Sequence, residues 1–327
     1  MKTVAQFMQD AMYDEKNGYY ISANPIGKSG DFITAPEISQ LFGEMMGVYC
    51  YSSWIRMGKP TKFNLVELGP GRATLMLDLH RATKHIEEFS AALKIHLVET
   101  NQNHIEIQKK CLEGTWHLDI STLPNDLPMI IIANEFFDCL PIHQYIFKNN
   151  KWHERYIEDK KFFDIPIKQE SNYNFPKVFD GAIVEVCYQA GDIVKQLCHY
   201  FDKVAGSLLI IDYGYEHNNT YISTLQALKN HQYHSIFADV GQADLTAHID
   251  FGHLKKIALA NGCLSSFIMT QREFLLSLGI DLRAEILKKN ASAAQKKDID
   301  SGLYRLIDKK EMGELFKVIS IDSTKNH

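Results

Sequence analysis

The sequence predicts an α/β fold of the Rossmann-like type, in which helices cover a mainly parallel β-sheet. The first observation is a strand, a tight turn and a helix in immediate succession over residues 63–81. The second is the alternation of short apolar runs with helical patterns over residues 61–140, which is typical of parallel sheets. With 327 residues, 45% of them hydrophobic, the chain is long enough for one large or two modest domains.

The turn after the first strand predicts a nucleotide-binding loop. Residues 69–73 read G-P-G-R-A, and Gly69 and Gly71 allow a sharp turn and a close approach of the backbone to a ligand. A dinucleotide fingerprint would have glycine where Thr74 stands, which disfavours an NAD-dependent oxidoreductase. Glu67, two residues before the first glycine, is badly placed for a pyrophosphate. It suits a cationic ligand such as the amino end of S-adenosylmethionine.

Polar residues follow the predicted core strands of the sheet. The further strands are predicted at 93–99, 115–118, 129–134 and 207–214, with two last strands at 264–269 and 316–321. Glu99, Asp119, Asn134 and Glu135 stand at or just after strand ends, and the carboxyl ends of parallel strands meet at the ligand-binding edge. If the ligand is S-adenosylmethionine, we predict that Glu99 accepts hydrogen bonds from its ribose and Asp119 from its adenine amino group. Asn134 is predicted to lie beside the same ligand.

If the ligand donates a methyl group, the segment after the fourth strand, residues 134–143, is predicted to bind the molecule that accepts it. If the acceptor is a guanidinium, Glu135 and Asp138 are the candidates to pair with it as catalytic carboxylates. Phe136 and Phe137 would then wall the pocket and face the cation. The alternative places both phenylalanines in the core and Asp138 at the cap of a short helix, and the sequence leaves the two interpretations open.

Two predicted units make up the chain. Residues 1–60 are predicted as a helical N-terminal cap, with a helix at 3–13, a loop at 24–31 and a second helix that runs from residue 36 to residue 54. We assign Thr34, Pro36 and Glu37, at the start of that second helix, to the substrate pocket. Residues 61–327 are predicted as the sheet domain, with insertions at about 142–180, where 144–157 indicates a hairpin, and at the loop-rich 215–251.

Composition argues against several other classes of function. The net charge of −5 without a long basic run disfavours nucleic acid, and no apolar stretch approaches the length of a membrane span. The six cysteines form no C-x-x-C pair, and the fourteen histidines show no spacing typical of a metal site. No G-x-S-x-G elbow supports a hydrolase. The N-terminus indicates an amphipathic helix, so we expect no signal or transit peptide.

The chain resembles the MidA-type methyltransferase family in four stretches. They are GDFITAPEISQLFGE at 30–44, VELGPGR at 66–72, ANEFFDCLP at 133–141 and ADLTAHIDF at 243–251, and shorter matches at 279–281 and 312–314 extend the likeness to the C-terminus. The family's glycine-rich turn usually ends in glycine, where this chain has Ala73. Alanine fits there if φ is negative, whereas a need for positive φ would weaken donor binding. We expect the chain to tolerate alanine, because alanine starts helices well.

The resemblance implies a seven-stranded class I methyltransferase sheet and S-adenosylmethionine as the methyl donor. It also implies a protein arginine methyltransferase that dimethylates a core subunit of NADH:ubiquinone oxidoreductase (complex I) and so aids its assembly. Eukaryotic relatives act in the mitochondrial matrix, and we expect this chain to act in a bacterial cytoplasm. An assembly chaperone that keeps the fold and works mainly by binding a partner subunit is the alternative, and formation of a homodimer is left open.

Overall fold

The computed structural model describes residues 1–22, 33–167, 173–216 and 220–326. The predicted loop at 24–31 and the first three residues of the 30–44 stretch lie outside the described residues. In the described part of the chain, no helix is both long and apolar enough to cross a membrane.

Strands and helices alternate through the middle of the chain. The strands are β1 (Lys2–Thr3), β2 (Phe63–Leu68), β3 (Leu93–Val98), β4 (Thr115–His117), β5 (Met129–Asn134), β6 (His143–Lys148), β7 (Lys151–Glu158), β8 (Lys161–Pro166), β9 (Ile183–Val186), β10 (Gly206–Tyr215), β11 (Gln226–Lys229), β12 (Gln232–His234), β13 (Asp244–Thr246), β14 (Ile249–Asp250), β15 (Leu264–Ser265), β16 (Met269–Thr270) and β17 (Phe316–Asp322). The helices are α1 (Val4–Tyr13), α2 (Tyr19–Ser22), α3 (Ala35–Ile38), α4 (Gln40–Arg56), α5 (Thr74–Thr83), α6 (Glu87–Ala92), α7 (Gln102–Lys109), α8 (Tyr188–Phe201), α9 (Phe251–Ala260), α10 (Gln271–Ser277), α11 (Ile280–Lys288), α12 (Ala293–Ile307) and α13 (Met312–Leu315).

The central sheet is largely parallel, as the sequence predicts. Its strands follow the order β15, β17, β10, β5, β2, β3, β4, with β14 beside β10 and β16 beside β17. The five strands β4, β3, β2, β5 and β10 are parallel, and β17 is antiparallel to β10. Strands β2 and β5 are buried along their whole length, because both of their faces carry helices. The strand predicted at 264–269 is interrupted, since only its two ends pair with β17.

Helices cover the central sheet on both sides. One face packs against α4, α5, α10, α11 and α12 in a core that includes Phe42, Leu75 and Leu306. The other face packs against α8 and α9 in a second core that includes Leu197 and Phe251. The two layers leave the carboxyl edge of the sheet for a ligand site.

The N-terminal 60 residues contribute to two parts of the fold. Helix α1 starts at the cap residue Thr3 and packs with β7 and β13, whereas α4 packs on the central sheet. The helix predicted from residue 36 to residue 54 is broken at Ser39, which has extended backbone (φ −159°, ψ 135°). Its side chain accepts a hydrogen bond from the N–H of Leu41 and so caps α4.

Two smaller sheets lie outside the central one. The hairpin predicted at 144–157 is confirmed as β6 and β7, and it joins β1, β8 and β9 in a separate antiparallel sheet. The segment predicted as loop-rich holds a three-stranded antiparallel sheet of β11, β12 and β13. These short strands carry little apolar alternation, which is why the sequence gives a weak signal for them.

Candidate active site

The ends of the parallel strands place the predicted acids along one edge. Leu68 of β2 is in register with Val98 of β3 and with Ala133 of β5, and Ile211 of β10 is in register with Asn134. Residues at and just after these positions therefore share the carboxyl edge of the sheet. The edge opens into a cavity.

Most of the predicted site residues line this cavity. The predicted residues in its wall are Thr34, Pro36, Glu37, Glu67, Gly69, Gly71, Glu99, Asn134, Glu135 and Phe136. The wall also contains residues for which the sequence predicts no role, among them Tyr13, Tyr20, Arg72, Asn101, His104 and Cys139. The structure thus brings the glycine-rich turn, three strand ends and the N-terminal segment together around one space.

Three predicted residues lie elsewhere. Phe137 is a core residue and not a wall of the pocket, because its ring is fully buried against β5, α8 and β10. Asp119 is exposed, and its carboxylate caps the turn at 120–122 by accepting from the N–H of Ser121 at 2.7 Å. The side chain and the N–H of Ser121 together hold the pKa of Asp119 below its usual range. Asp138 is buried behind the cavity instead of lining it.

The glycine-rich turn needs left-handed backbone. Gly69 and Gly71 have φ of +64° and +53°, and a Cβ on Gly69 would lie 2.8 Å from Cδ2 of Phe136. Ala73 has φ of +62°, so the condition of negative φ, under which alanine would fit easily, is not met. Alanine pays a steric cost of about 1–2 kcal/mol in this region, which the buried helix start must offset.

Two neighbouring carboxyls, Glu67 and Glu99, line the side of the cavity where the sequence predicts the methyl donor. Burial, with the nearby charge of Glu99, raises the pKa of Glu67 to about 8. Glu99 accepts from the N–H of Asn101 at 2.9 Å and lies 3.5 Å from Nδ1 of His104. Gln108 donates to the carbonyl of Gly71 at 2.7 Å and ties helix α7 to the turn.

Glu135 lines the side of the cavity where the sequence predicts the methyl acceptor. Its backbone is in the left-handed region, with φ of +49°, a conformation that recurs at functional sites. Oε1 accepts from the N–H of Ala35 at 2.8 Å and from Nδ2 of Asn134 at 3.2 Å, and the side chain of Tyr213 lies close to the carboxylate. Burial outweighs these bonds and raises the pKa of Glu135 to about 7.

Further acids lie behind Glu135. Burial, with the nearby charge of Asp212, raises the pKa of Asp138 well above its usual range. Burial, with the nearby charge of Glu135, raises the pKa of Asp212 to about 8. Asp244 accepts from the hydroxyl of Tyr20 at 2.9 Å. Asp244 falls within the 243–251 stretch, whose resemblance to the family was the one sequence signal for it. Asp212 stands in the second half of the core strand predicted at 207–214, which is a similar signal in the sequence.

The cavity wall has the chemistry of a site for a cationic nucleoside. Oε2 of Glu67 and Oδ1 of Asn134 are buried and have no hydrogen-bond partner among the residues that the structure describes. Two acceptors in this state fit a ligand that brings positive charge and N–H groups. The turn at 69–71 gives the close backbone approach that the nucleoside needs. The residues present therefore fit S-adenosylmethionine.

Comparisons with known proteins agree with this geometry. Residues 45–269 match the sequence model of a family described as "Putative S-adenosyl-L-methionine-dependent methyltransferase". The chain is 33% identical to the Danio rerio protein arginine methyltransferase NDUFAF7, mitochondrial, over 98% of this chain and 83% of that protein. It is 32% identical to the Homo sapiens protein of the same name, over 98% and 79%. A Burkholderia thailandensis structure with S-adenosyl-homocysteine bound has a TM-score of 0.84 and 25% identity, covering 98% of this chain and 87% of that one.

Proposed function

The chain belongs to this family of S-adenosyl-L-methionine-dependent methyltransferases, and we propose that it methylates an arginine side chain in a core subunit of complex I. The observation that carries the proposal is the carboxyl of Glu135 in the cavity wall. No lysine, arginine or histidine forms an ion pair with it within the described ranges. A guanidinium has a fixed positive charge and pairs with a carboxylate through two N–H groups, so it suits this group better than a neutral acceptor.

The donor is proposed to bind on the other side of the cavity. Glu67 and Asn134 would receive the cationic methionine end, and Glu99 the ribose hydroxyls, with Gly69 and Gly71 beneath them. The bound donor supplies an electrophilic methyl group. The predicted contact of Asp119 with the adenine amino group stays a prediction, because this carboxylate lies outside the cavity wall.

Glu135 has two proposed tasks in the transfer. It holds the guanidinium so that one nitrogen points at the methyl group, which is mainly a positioning role. As the new N–C bond forms, the S–CH3 bond of the donor breaks and leaves S-adenosyl-homocysteine as a neutral thioether. The methylated nitrogen must then release a proton, and a carboxylate with a pKa of about 7 accepts it near neutral pH. Pro36 and Phe136 close the cavity around the reacting groups.

The names of the relatives support a protein substrate. The NDUFAF7 proteins are named protein arginine methyltransferases and mitochondrial. The resemblance implies a complex I subunit as the substrate and a bacterial cytoplasm as the location of this chain, and both stay predictions.

A single substitution tests the proposal. Glu135→Gln keeps the shape of the side chain but removes the charge that pairs with a guanidinium. We expect donor affinity by calorimetry to stay within about twofold, while methyl transfer to purified complex I subunits falls by about 100-fold or more. Glu113→Gln, at an exposed carboxyl outside the cavity, is the control and should leave both values unchanged. Full transfer by Glu135→Gln would contradict the proposed acceptor site.

A further inference from the structure

A buried carboxylate organises the turn that carries Glu135. Asp212 lies in β10 and is 0% exposed. Its Oδ2 accepts from the N–H of Phe137 at 3.0 Å and from the N–H of Asp138 at 3.1 Å. Its Oδ1 accepts from the N–H of Tyr213 at 2.8 Å. One side chain thus satisfies two N–H groups of the neighbouring segment and one of its own strand.

These bonds form where the chain leaves the sheet. The N–H of Glu135 donates to the carbonyl of Ile211 at 2.9 Å and is the last backbone bond of the parallel pair. The next residues turn away, and their N–H groups would be buried without partners if Asp212 did not accept from them. The left-handed backbone of Glu135 persists only if its surroundings fix it.

The next residue of the same strand lies close to the carboxyl of Glu135. The side chain of Tyr213 is near enough to lower the pKa of Glu135, and the backbone N–H of Tyr213 is the third donor to Asp212. Asp212 therefore holds both the turn behind Glu135 and the strand residue beside its side chain. Asp212 is absent from the cavity wall, so it acts on the site through the residues that it holds.

We propose that Asp212 is a positioning residue for methyl transfer, which orients the carboxylate of Glu135 toward the acceptor by holding the turn at 135–138. This inference rests on the proposed function. It adds a residue that no part of the sequence analysis assigns to the site.

The test replaces one acceptor oxygen by a donor. In Asp212→Asn an NH2 group must face either the N–H groups of 137 and 138 or that of Tyr213, so one set of bonds is lost. We expect kcat to fall about 100-fold, as for a small misplacement of a reacting group, with S-adenosyl-homocysteine affinity within about twofold. Ser207→Ala is the matched control, because Ser207 is equally buried in β10 and bonds to Tyr49 at 2.8 Å far from the cavity. It should lower stability without a change in kcat.

A spectroscopic readout separates positioning from general loss of stability. The side-chain carboxyl of Glu135, assigned in ¹³C NMR spectra by comparison with Glu135→Gln, should titrate at a different pH in Asp212→Asn than in the wild type. It should stay unchanged in Ser207→Ala. In the Glu135→Gln background, Asp212→Asn should have little further effect on kcat, because the two residues act as one unit.

The outcomes distinguish this inference from the proposed function. A wild-type protein that transfers no methyl group overturns the proposed function, whereas an unchanged titration of Glu135 in a folded Asp212→Asn protein overturns the positioning role. An Asp212→Asn effect that adds fully to that of Glu135→Gln also overturns it. If Asp212→Asn does not fold, Asp212→Ser, whose hydroxyl reaches fewer of the N–H groups, is measured in the same way.

Discussion

The backbone N–H of Ala35 donates to Oε1 of Glu135 at 2.8 Å, across 100 residues of sequence. Ala35 is the first residue of α3, and Glu37 in the same helix accepts from the hydroxyl of Thr74 and lies 3.7 Å from the guanidinium of Arg72. This short helix therefore contacts the proposed acceptor carboxylate at one end and the glycine-rich turn at the other. It links the two halves of the cavity.

Ala35→Pro removes this N–H at a helix position that tolerates proline. The lost bond favours the ionised carboxylate, so its removal should raise the pKa of Glu135 further above its usual range. The kcat–pH profile should then shift to higher pH, with less activity at pH 7. Gln102→Pro, also at the first residue of a helix, is the control and should leave the profile in place. An unshifted profile for Ala35→Pro would show that the bond does not tune Glu135.

The sequence predicts strands well where both faces are buried. The bounds of β2 and β5 agree with the predicted 63–68 and 129–134, because each is an apolar run between turn residues. The break at Ser39 was missed, since the apolar stripe continues across it and only the local cap ends the first helix. The apolar pattern there indicates which residues are buried, but the cap at Ser39 determines where the helix begins.

The site was predictable where strand ends define it. Glu67, Glu99 and Glu135 follow from the rule that parallel strands deliver their ends to one edge. Tyr13 could not be found in this way, because it reaches the site from α1 and donates to the carbonyl of Cys139 at 3.2 Å, 126 residues away. Asp138 follows the end of β5 closely in sequence, but its segment turns behind the cavity, so its side chain does not line the wall. Such contacts depend on tertiary packing and leave no periodic signal.

Gly71→Val should abolish donor binding. The φ of +53° is costly for a β-branched residue, and the added methyl groups occupy the space beside the ligand. Calorimetry with S-adenosyl-homocysteine should show no measurable binding. Gly58→Val is a matched control, because φ there is +80° and a Cβ meets nothing within 4 Å. It carries a similar backbone cost and should keep wild-type affinity, whereas unchanged affinity in Gly71→Val would remove Gly71 from the donor site.

Glu67 should make donor binding depend on pH. With a pKa of about 8, the carboxyl is mostly neutral at pH 7, and a cationic donor favours its ionised form. Binding then releases a proton, so affinity should rise between pH 6 and 7.5 by up to about tenfold per pH unit. Glu67→Gln should bind more weakly at pH 7.5 and show a flat profile by calorimetry. A wild-type affinity that is independent of pH in this range would contradict the contact.

The free protein should show the opposite trend in stability. The pKa of Glu67 is raised from 4.5 to about 8 in the folded state, so its contribution to the free energy of unfolding is complete below pH 4.5 and is lost as pH rises from 4.5 to about 8. Glu67→Gln should remove this loss in urea unfolding without donor. If the loss persists in the variant, another group causes it.

A chain of buried histidines should govern stability in acid. Nδ1 of His96 lies 3.0 Å from Nε2 of His117, and Nε2 of His96 lies 3.1 Å from Oδ1 of Asn64. Burial, with the neighbouring His117 and Lys94, lowers the pKa of His96 to about 4. As pH falls below about 6.5, His96 binds a proton in the unfolded chain, whereas it stays neutral in the folded chain until the pH approaches 4.

The free energy of unfolding should therefore fall on acidification from pH 6.5 to 4, by up to about 1.4 kcal/mol per pH unit for this group. His96→Gln should be less stable at pH 7.5, because it loses part of the network, but its stability should fall less steeply below pH 6.5. Urea unfolding at several pH values measures both slopes. His85→Gln, at an exposed histidine, is the control and should retain the wild-type slope. Equal slopes for His96→Gln and the wild type would mean that the acid sensitivity arises from other groups.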